Sequence, residues 1–274
     1  MSMFLSQISI FPIKSTQGLR VSRSDVDSYG LSFDRRFMLA DSKGRMLTGR
    51  ALPKLVQVKA VPVRDGLRVC HPESADLLLR YDDFAHGGMA THVWKDEFEG
   101  LRTTDEADHW FSELLGRQCH LLYCGQTSVR FGAKAGVPLS FADGFPLLLI
   151  SQASLEELNR RSAVASEMAQ FRPNLVVSGT APFAEDGWQR IRIGQVEFKL
   201  DCPCSRCIFT TRDPLTGDFL PDKEPLATLS KFRKDATGKI NFGMNLIALN
   251  EGMIEEGMPI EVLQTRTAEV YKES

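Results

Sequence analysis

Three cysteines within six positions, Cys202, Cys204 and Cys207, are the densest set of soft donors in the chain, and Arg206, Thr210 and Thr211 stand beside them. An apolar run ending in Leu200 leads into this stretch, and the turn signals Asp213-Pro214 and Thr216-Gly217 close it. A strand that runs into a cysteine-bearing loop presents thiols at a rim, where a soft metal or an electrophile can reach them.

The spacing narrows the chemistry. Structural zinc takes two ligand pairs, and Cys204 with Cys207 supplies one, with Cys202 as a possible third ligand. Neither cysteine nor histidine follows position 207, so any second pair would come from Cys70, Cys119, Cys124 or a distant histidine. A dithiol exchange centre needs a βαβ setting, whereas strand and turn flank this loop. An iron–sulfur cluster needs four cysteines and the loop has three. One reactive thiolate, with cations elsewhere holding an anion, fits better. A single soft ligand suits a metal whose other ligands come from an organic cofactor.

Several segments offer those cations. Lys14 and Ser15 follow Pro12 at the end of a strand read over residues 3–11. In Asp34-Arg35-Arg36-Phe37 a pleated backbone would turn one arginine inward, towards a carboxylate or a phosphate. Ser151 stands between the buried-type strand Pro146–Ile150 and a helix over 152–161, an arrangement that aims N–H groups at an anion. Arg172 precedes Pro173 and Asn174, and the proline biases it towards an extended backbone.

The elements that must position these residues are mostly strands. Short apolar runs at 19–27, 36–41 and 45–49 suggest a meander. Residues 55–61, 67–71 and 77–79 read as further strands by alternation. Thr103 with Glu106 marks a helix over about 104–115, stopped by Gly116. Cys119–Cys124 reads as a strand, and the polar loop 125–140 as the hinge between two domains, 1–125 and 126–274. Beyond it come the strand 175–177, a hairpin over 190–200 feeding the cysteine loop, a short helix after Pro225, and strands at 242–248 and 259–263. His86, His92, His109 and His120 show no ligand spacing. The fold class is mainly β with a few helices (α+β).

Composition excludes more than it selects. With 33 basic against 35 acidic residues there is no global field for nucleic acid or an anionic membrane, so any anion site is local. The N-terminus lacks a basic segment and alternates like a strand, unlike a signal peptide, and no apolar run is long enough to span a bilayer. Six clustered cysteines in 274 residues do not make a secreted disulfide framework, which points to reduced thiols in the cytoplasm.

The loop Cys204-Ser205-Arg206-Cys207-Ile208-Phe209-Thr210-Thr211-Arg212-Asp213-Pro214-Leu215-Thr216-Gly217 resembles the signature of the MOSC domain family. That family includes the mitochondrial amidoxime reducing components, YcbX-like bacterial proteins and the C-terminal domain of molybdenum cofactor sulfurase. The likeness extends through Phe11–Ser15, Asp34–Phe37, Leu149–Leu155, Phe171–Val176, Glu185–Trp188 and Lys223–Leu226, in family order over nearly the whole chain.

The resemblance implies an N-terminal β-barrel-like domain followed by a MOSC β-barrel, and a molybdenum cofactor (molybdopterin with Mo). Cys207 would be the metal's thiolate ligand and the catalytic residue. Lys14, Ser15, Arg36, Arg172 and Asn174 would hold the pterin and its phosphate, with Ser151, Thr210 and Thr211 as further contacts. The implied reaction is reduction of small N-hydroxylated compounds such as amidoximes, hydroxylamines and N-hydroxylated bases. A sulfur-carrier or cofactor-carrier module without turnover is the alternative. A family-level label of pyridoxal phosphate binding goes with the resemblance. Without the ferredoxin-like domain or membrane anchor of some relatives, the expectation is a cytoplasmic protein served by a separate ferredoxin- or flavoprotein-type electron donor, with neither membrane nor nucleic acid as partner.

Overall fold

The structure is a computed structural model and describes residues 2–126, 130–132 and 134–271. Eight strands form its principal sheet. Their order is Leu19–Val21, Phe4–Ile10, Leu175–Ser178, Leu147–Ser151, Asn241–Ala248, Val196–Ser205, Trp188–Ile193 and Ile260–Thr265. The sheet closes on itself. Leu5 N–H donates to Met258 O (2.9 Å), Gly257 N–H to Leu5 O (2.7 Å), and Ile260 N–H to Met3 O (3.0 Å), joining the last strand to the start of Phe4–Ile10. Closure removes the unpaired edges that an open sheet would expose. The interior takes Leu5, Ile8, Ile10, Val26 and Leu31 from the beginning of the chain and Leu149, Val177, Ile191, Phe198 and Leu246 from the rest.

A second unit holds a four-stranded sheet, Phe37–Ala40, His120–Tyr123, Asp96–Arg102 and Gly88–Val93, and the three-stranded meander Lys59–Val63, Gly66–His71 and Ser74–Arg80. The helix Asp105–Leu115 packs Ala107, Phe111 and Leu114 into the core these strands share. The architecture is mainly β with few helices, as expected.

Three sequence expectations are corrected. Residues 55–61 do not form one strand: Lys54–Gln57 is a helical turn begun at Pro53, and both adjacent residues Leu55 and Val56 are buried, which a pleat does not allow on one face. The cap of the helix Asp105–Leu115 is Thr104, whose hydroxyl accepts from Ala107 N–H, while Thr103 is buried and donates to Leu121 O. The loop 125–140 is anchored rather than free, since Arg130 donates to Asp96, Ser140 O and Asp143 O; residues 127–129 and 133 of that loop lie outside the described residues. Strand pairing crosses position 125/126: Phe4–Ile10 pairs with Leu175–Ser178 and Arg23–Asp27 with Gly252–Glu255.

Candidate functional site

The strand Val196–Ser205 sets the position of the cysteines. Its pairing with Asn241–Ala248 shifts register between Leu200 and Cys202 and again between Pro203 and Ser205. Proline has no N–H for the ladder, and each bulge bends the strand, so its end swings out of the barrel wall. Cys202 and Cys204 stay half-buried, while Cys207 emerges exposed at the start of the 3-10 turn Ile208–Thr211.

Cys207 lies on a cleft of about 570 Å³ at the seam between the barrel and the second unit. Arg50, from the second unit, reaches across: its Nε is 3.4 Å from Cys207 Sγ, its plane lies 4.7 Å from the Trp94 ring, and its Nη2 is 3.5 Å from Asp143. Lys14 donates to Asp143 (2.6 Å) and to Phe141 O (2.8 Å). Although burial favours the neutral acid, Lys14 and Arg50 hold the Asp143 carboxyl far below the usual carboxylate range. Burial lowers the Lys14 pKa, with Asp143 opposing it, and Asp143 and Cys207 keep Arg50 charged against the cost of burial.

The floor is cationic. The turn carrying Arg35 is clipped to the end of the first strand, with Phe11 N–H donating to Asp34 Oδ1 (2.8 Å) and Arg35 N–H to Phe11 O (2.8 Å). Arg35 bonds Asp34 and donates to Asn174 Oδ1 (2.9 Å). Asn174 also accepts from Leu148 N–H and donates to Ser9 O, so this amide ties the floor to two strands. Arg172 lies between the rings of Phe11 (4.1 Å) and Phe209 (5.3 Å) and donates to Thr16 O. Burial, then the neighbouring Arg35 charge, lowers its pKa. Arg206 donates to Cys204 Sγ (3.0 Å) and Phe171 O (2.7 Å).

Backbone strain gathers here as well. Nine described non-glycine residues have a left-handed backbone, and four of them, Ser15, Arg35, Trp94 and Arg172, line this cleft. Such conformations cost energy and persist where the surroundings over-determine them. Arg172 therefore does not take the extended form its proline neighbour favours; its φ of 55° closes the short helix Met168–Phe171.

The cleft brings together Cys207, Lys14, Ser15, Arg172, Asn174 and Thr210. It leaves out three expected residues. Arg36 turns away, pairing with Asp27 (2.6 Å) over the Tyr29 ring, and Arg35 takes the cleft position because the pair sits in a turn and not on a pleat. Ser151 is fully buried, capping the helix Gln152–Arg161 by accepting from Ser154 N–H. The Thr211 hydroxyl donates to Ile208 O and closes the 3-10 turn, and the Thr210 hydroxyl does the same with Cys207 O. Arg50, Trp94 and Asp143 escape sequence reasoning: each comes from a loop with no motif, and the strands flanking Trp94 show little alternation.

The donor set fits an anionic cofactor that carries its own metal ligands. Arg172 and Arg206 donate only to neutral carbonyls and a thiol, and Arg206 Nε is buried with no partner. Half-buried guanidiniums left like this are suited to phosphate oxygens. Among the described residues no three His, Cys, Asp or Glu side chains are grouped to hold a metal, so a zinc site lacks its second ligand pair. No helix there is long and apolar enough to cross a membrane.

Comparison with known proteins agrees in kind. A model of the MOSC N-terminal beta barrel domain matches residues 2–118, and one of the MOSC domain matches residues 137–261. The chain is 34% identical over 281 residues to mitochondrial amidoxime-reducing component 1 of Mus musculus, covering 94% of this chain and 82% of that protein. It is 32% identical over 242 residues to mitochondrial amidoxime reducing component 2 of Bos taurus, covering 84% and 72%. It is 33% identical over 276 residues to molybdenum cofactor sulfurase of Oryza sativa subsp. japonica, where 92% of this chain corresponds to 33% of the longer protein.

Proposed function

Since the chain belongs to the MOSC family, with the family's N-terminal β-barrel domain ahead of its MOSC domain, we propose that the cleft holds a molybdenum cofactor and that the protein reduces N-hydroxylated compounds. One observation carries the reading: an exposed thiol, Cys207, opens onto a cleft whose cations come from both packed units and include guanidiniums without anionic partners.

When bound, the cofactor supplies a two-electron centre able to take oxygen from an N-hydroxyl group. The chain's own residues bind and orient. Cys207 Sγ would add one soft ligand to the metal's set. Arg35, Arg172 and Arg206 offer N–H donors to the pterin phosphate, and Lys14 and Ser15 extend that surface. Asp143 holds Lys14, Arg50 and Trp94 in register, so Arg50 stays against the thiol. Electrons come from a separate donor protein, in the cytoplasm.

Protein produced with molybdate is expected to carry stoichiometric molybdenum and to reduce hydroxylamine with an artificial electron donor. Cys207→Ser is expected to lose the metal with an unchanged circular dichroism spectrum, because an exposed side chain contributes within about 0.5 kcal/mol to stability. Molybdenum retained by that variant refutes the ligand assignment. The carrier reading draws on the match to the sulfurase and on Cys204 beside Arg206; bound cofactor or a cysteine persulfide without turnover would select it.

A further inference from the structure

Behind the wall made by Arg172 and Phe209 lies a second cavity of about 180 Å³, and both side chains also line the main cleft. Phe11, Val56, Pro214 and Leu215 give it apolar walls. Its charges are three guanidiniums, Arg20, Arg172 and Arg212, against one carboxylate, Glu167. Two of these charges are already engaged. Arg20 pairs with Glu256, and Glu167 sits in the capping box of the helix Met168–Phe171.

Arg212 is not. It is 6% exposed, and its two hydrogen bonds run to backbone carbonyls, Gly217 O and Arg50 O (the latter 2.8 Å). Its Nε is buried with no partner. Among the described residues no carboxylate bonds to it, and the acid that acts on it through space, Asp218, is exposed on the following loop. A guanidinium carries five N–H donors, so most of its capacity is unused. A buried cation with neither ion pair nor full hydrogen bonding is costly, and an anion arriving from solvent relieves that cost.

We propose that this cavity is a binding site for a small organic carboxylate, its apolar body against Phe11, Val56 and Leu215 and its carboxylate on Arg212. The apolar walls select against a bare hydrophilic anion. The volume is below the roughly 300–1,000 Å³ of sites for drug-sized ligands, so the occupant is fragment-sized. The site stands independently of what fills the main cleft, yet it touches that cleft twice, through the shared Arg172 wall and through the Arg212 bond to the backbone of Arg50.

Titration calorimetry on the full chain with benzoate tests this, using benzamide as the neutral isostere and inorganic phosphate as the hydrophilic anion. Benzoate is expected to bind more tightly than either. Arg212→Gln is expected to weaken it by about tenfold or more, the usual size of a charge-assisted bond. Leu215→Trp, at an exposed position that leaves folding intact, is expected to fill the mouth and abolish binding. Lys239→Gln, at an exposed residue that lines the main cleft and not this cavity, is expected to leave it unchanged. Should Arg212→Gln fail to fold, the Leu215→Trp variant and the benzamide comparison decide. No binding at millimolar benzoate, equal binding of benzamide, tighter binding of phosphate, survival in Leu215→Trp, or loss in Lys239→Gln would each overturn the proposal.

Discussion

Adjacent arginines with opposite fates show how much one residue's direction decides. Arg35 lies on the cleft floor, bonded to Asn174, whereas Arg36 pairs with Asp27 on the other side of the turn. Arg35→Gln is therefore expected to cut pterin and molybdenum content by about tenfold or more, the cost of losing charge-assisted bonds to a phosphate. Arg36→Gln is expected to leave cofactor content unchanged and to cost about 1–3 kcal/mol, because Arg36 is buried and its partner Asp27 only partly exposed. Metal and pterin analysis alongside thermal melts of both variants checks this, and cofactor loss in Arg36→Gln would contradict it. The motif Asp34-Arg35-Arg36-Phe37 was legible as a cation source, but a pleat and a turn point its two arginines differently, and only the backbone distinguishes them.

Among elements, the helix Gln152–Arg161 depends on a buried carboxyl. Glu185 Oε1 accepts from Ser151 N–H (2.9 Å) and the Ser154 hydroxyl (2.8 Å), while Oε2 is buried without a partner. Burial raises the Glu185 pKa, with these bonds opposing it. The native state thus holds its proton more tightly than the unfolded chain, whose glutamates titrate near about 4.3. Below that pH both states are protonated; as pH rises through the folded value, the native state loses this advantage. Melting temperatures of the wild type are expected to fall relative to Glu185→Gln across that interval and to converge with it at lower pH. Parallel curves at every pH would show that Glu185 is not the titrating group. Ser151 was legible as a helix cap, and it is one; the buried glutamate that receives its N–H comes from a segment more than thirty residues away, so local spacing could not show that the serine was already spent.

For the whole molecule, the barrel is the unit that matters, and it is assembled from both ends of the chain. Residues 126–274 expressed alone would leave Leu175–Ser178 without its partner Phe4–Ile10 and the interior without Leu5, Ile8, Ile10, Val26 and Leu31. Such a fragment is expected to show no cooperative thermal transition, and co-expression with residues 2–125 is expected to restore one; calorimetry of each checks this, and a sharp transition in the isolated fragment would refute it. The seam where the units meet is also where the cleft lies, so metal ligand and cation floor fail together if the halves are parted. The sequence by itself determined the strand-rich class, most strands and caps, the thiol loop and the family resemblance, because alternation, turn chemistry and local spacing are properties of neighbouring residues. Tertiary structure decided which cations face that thiol. Arg50, Trp94 and Asp143 reach one hollow only through barrel closure and the packing of a loop from each unit across the seam, and no local pattern records a contact between residues more than a hundred positions apart.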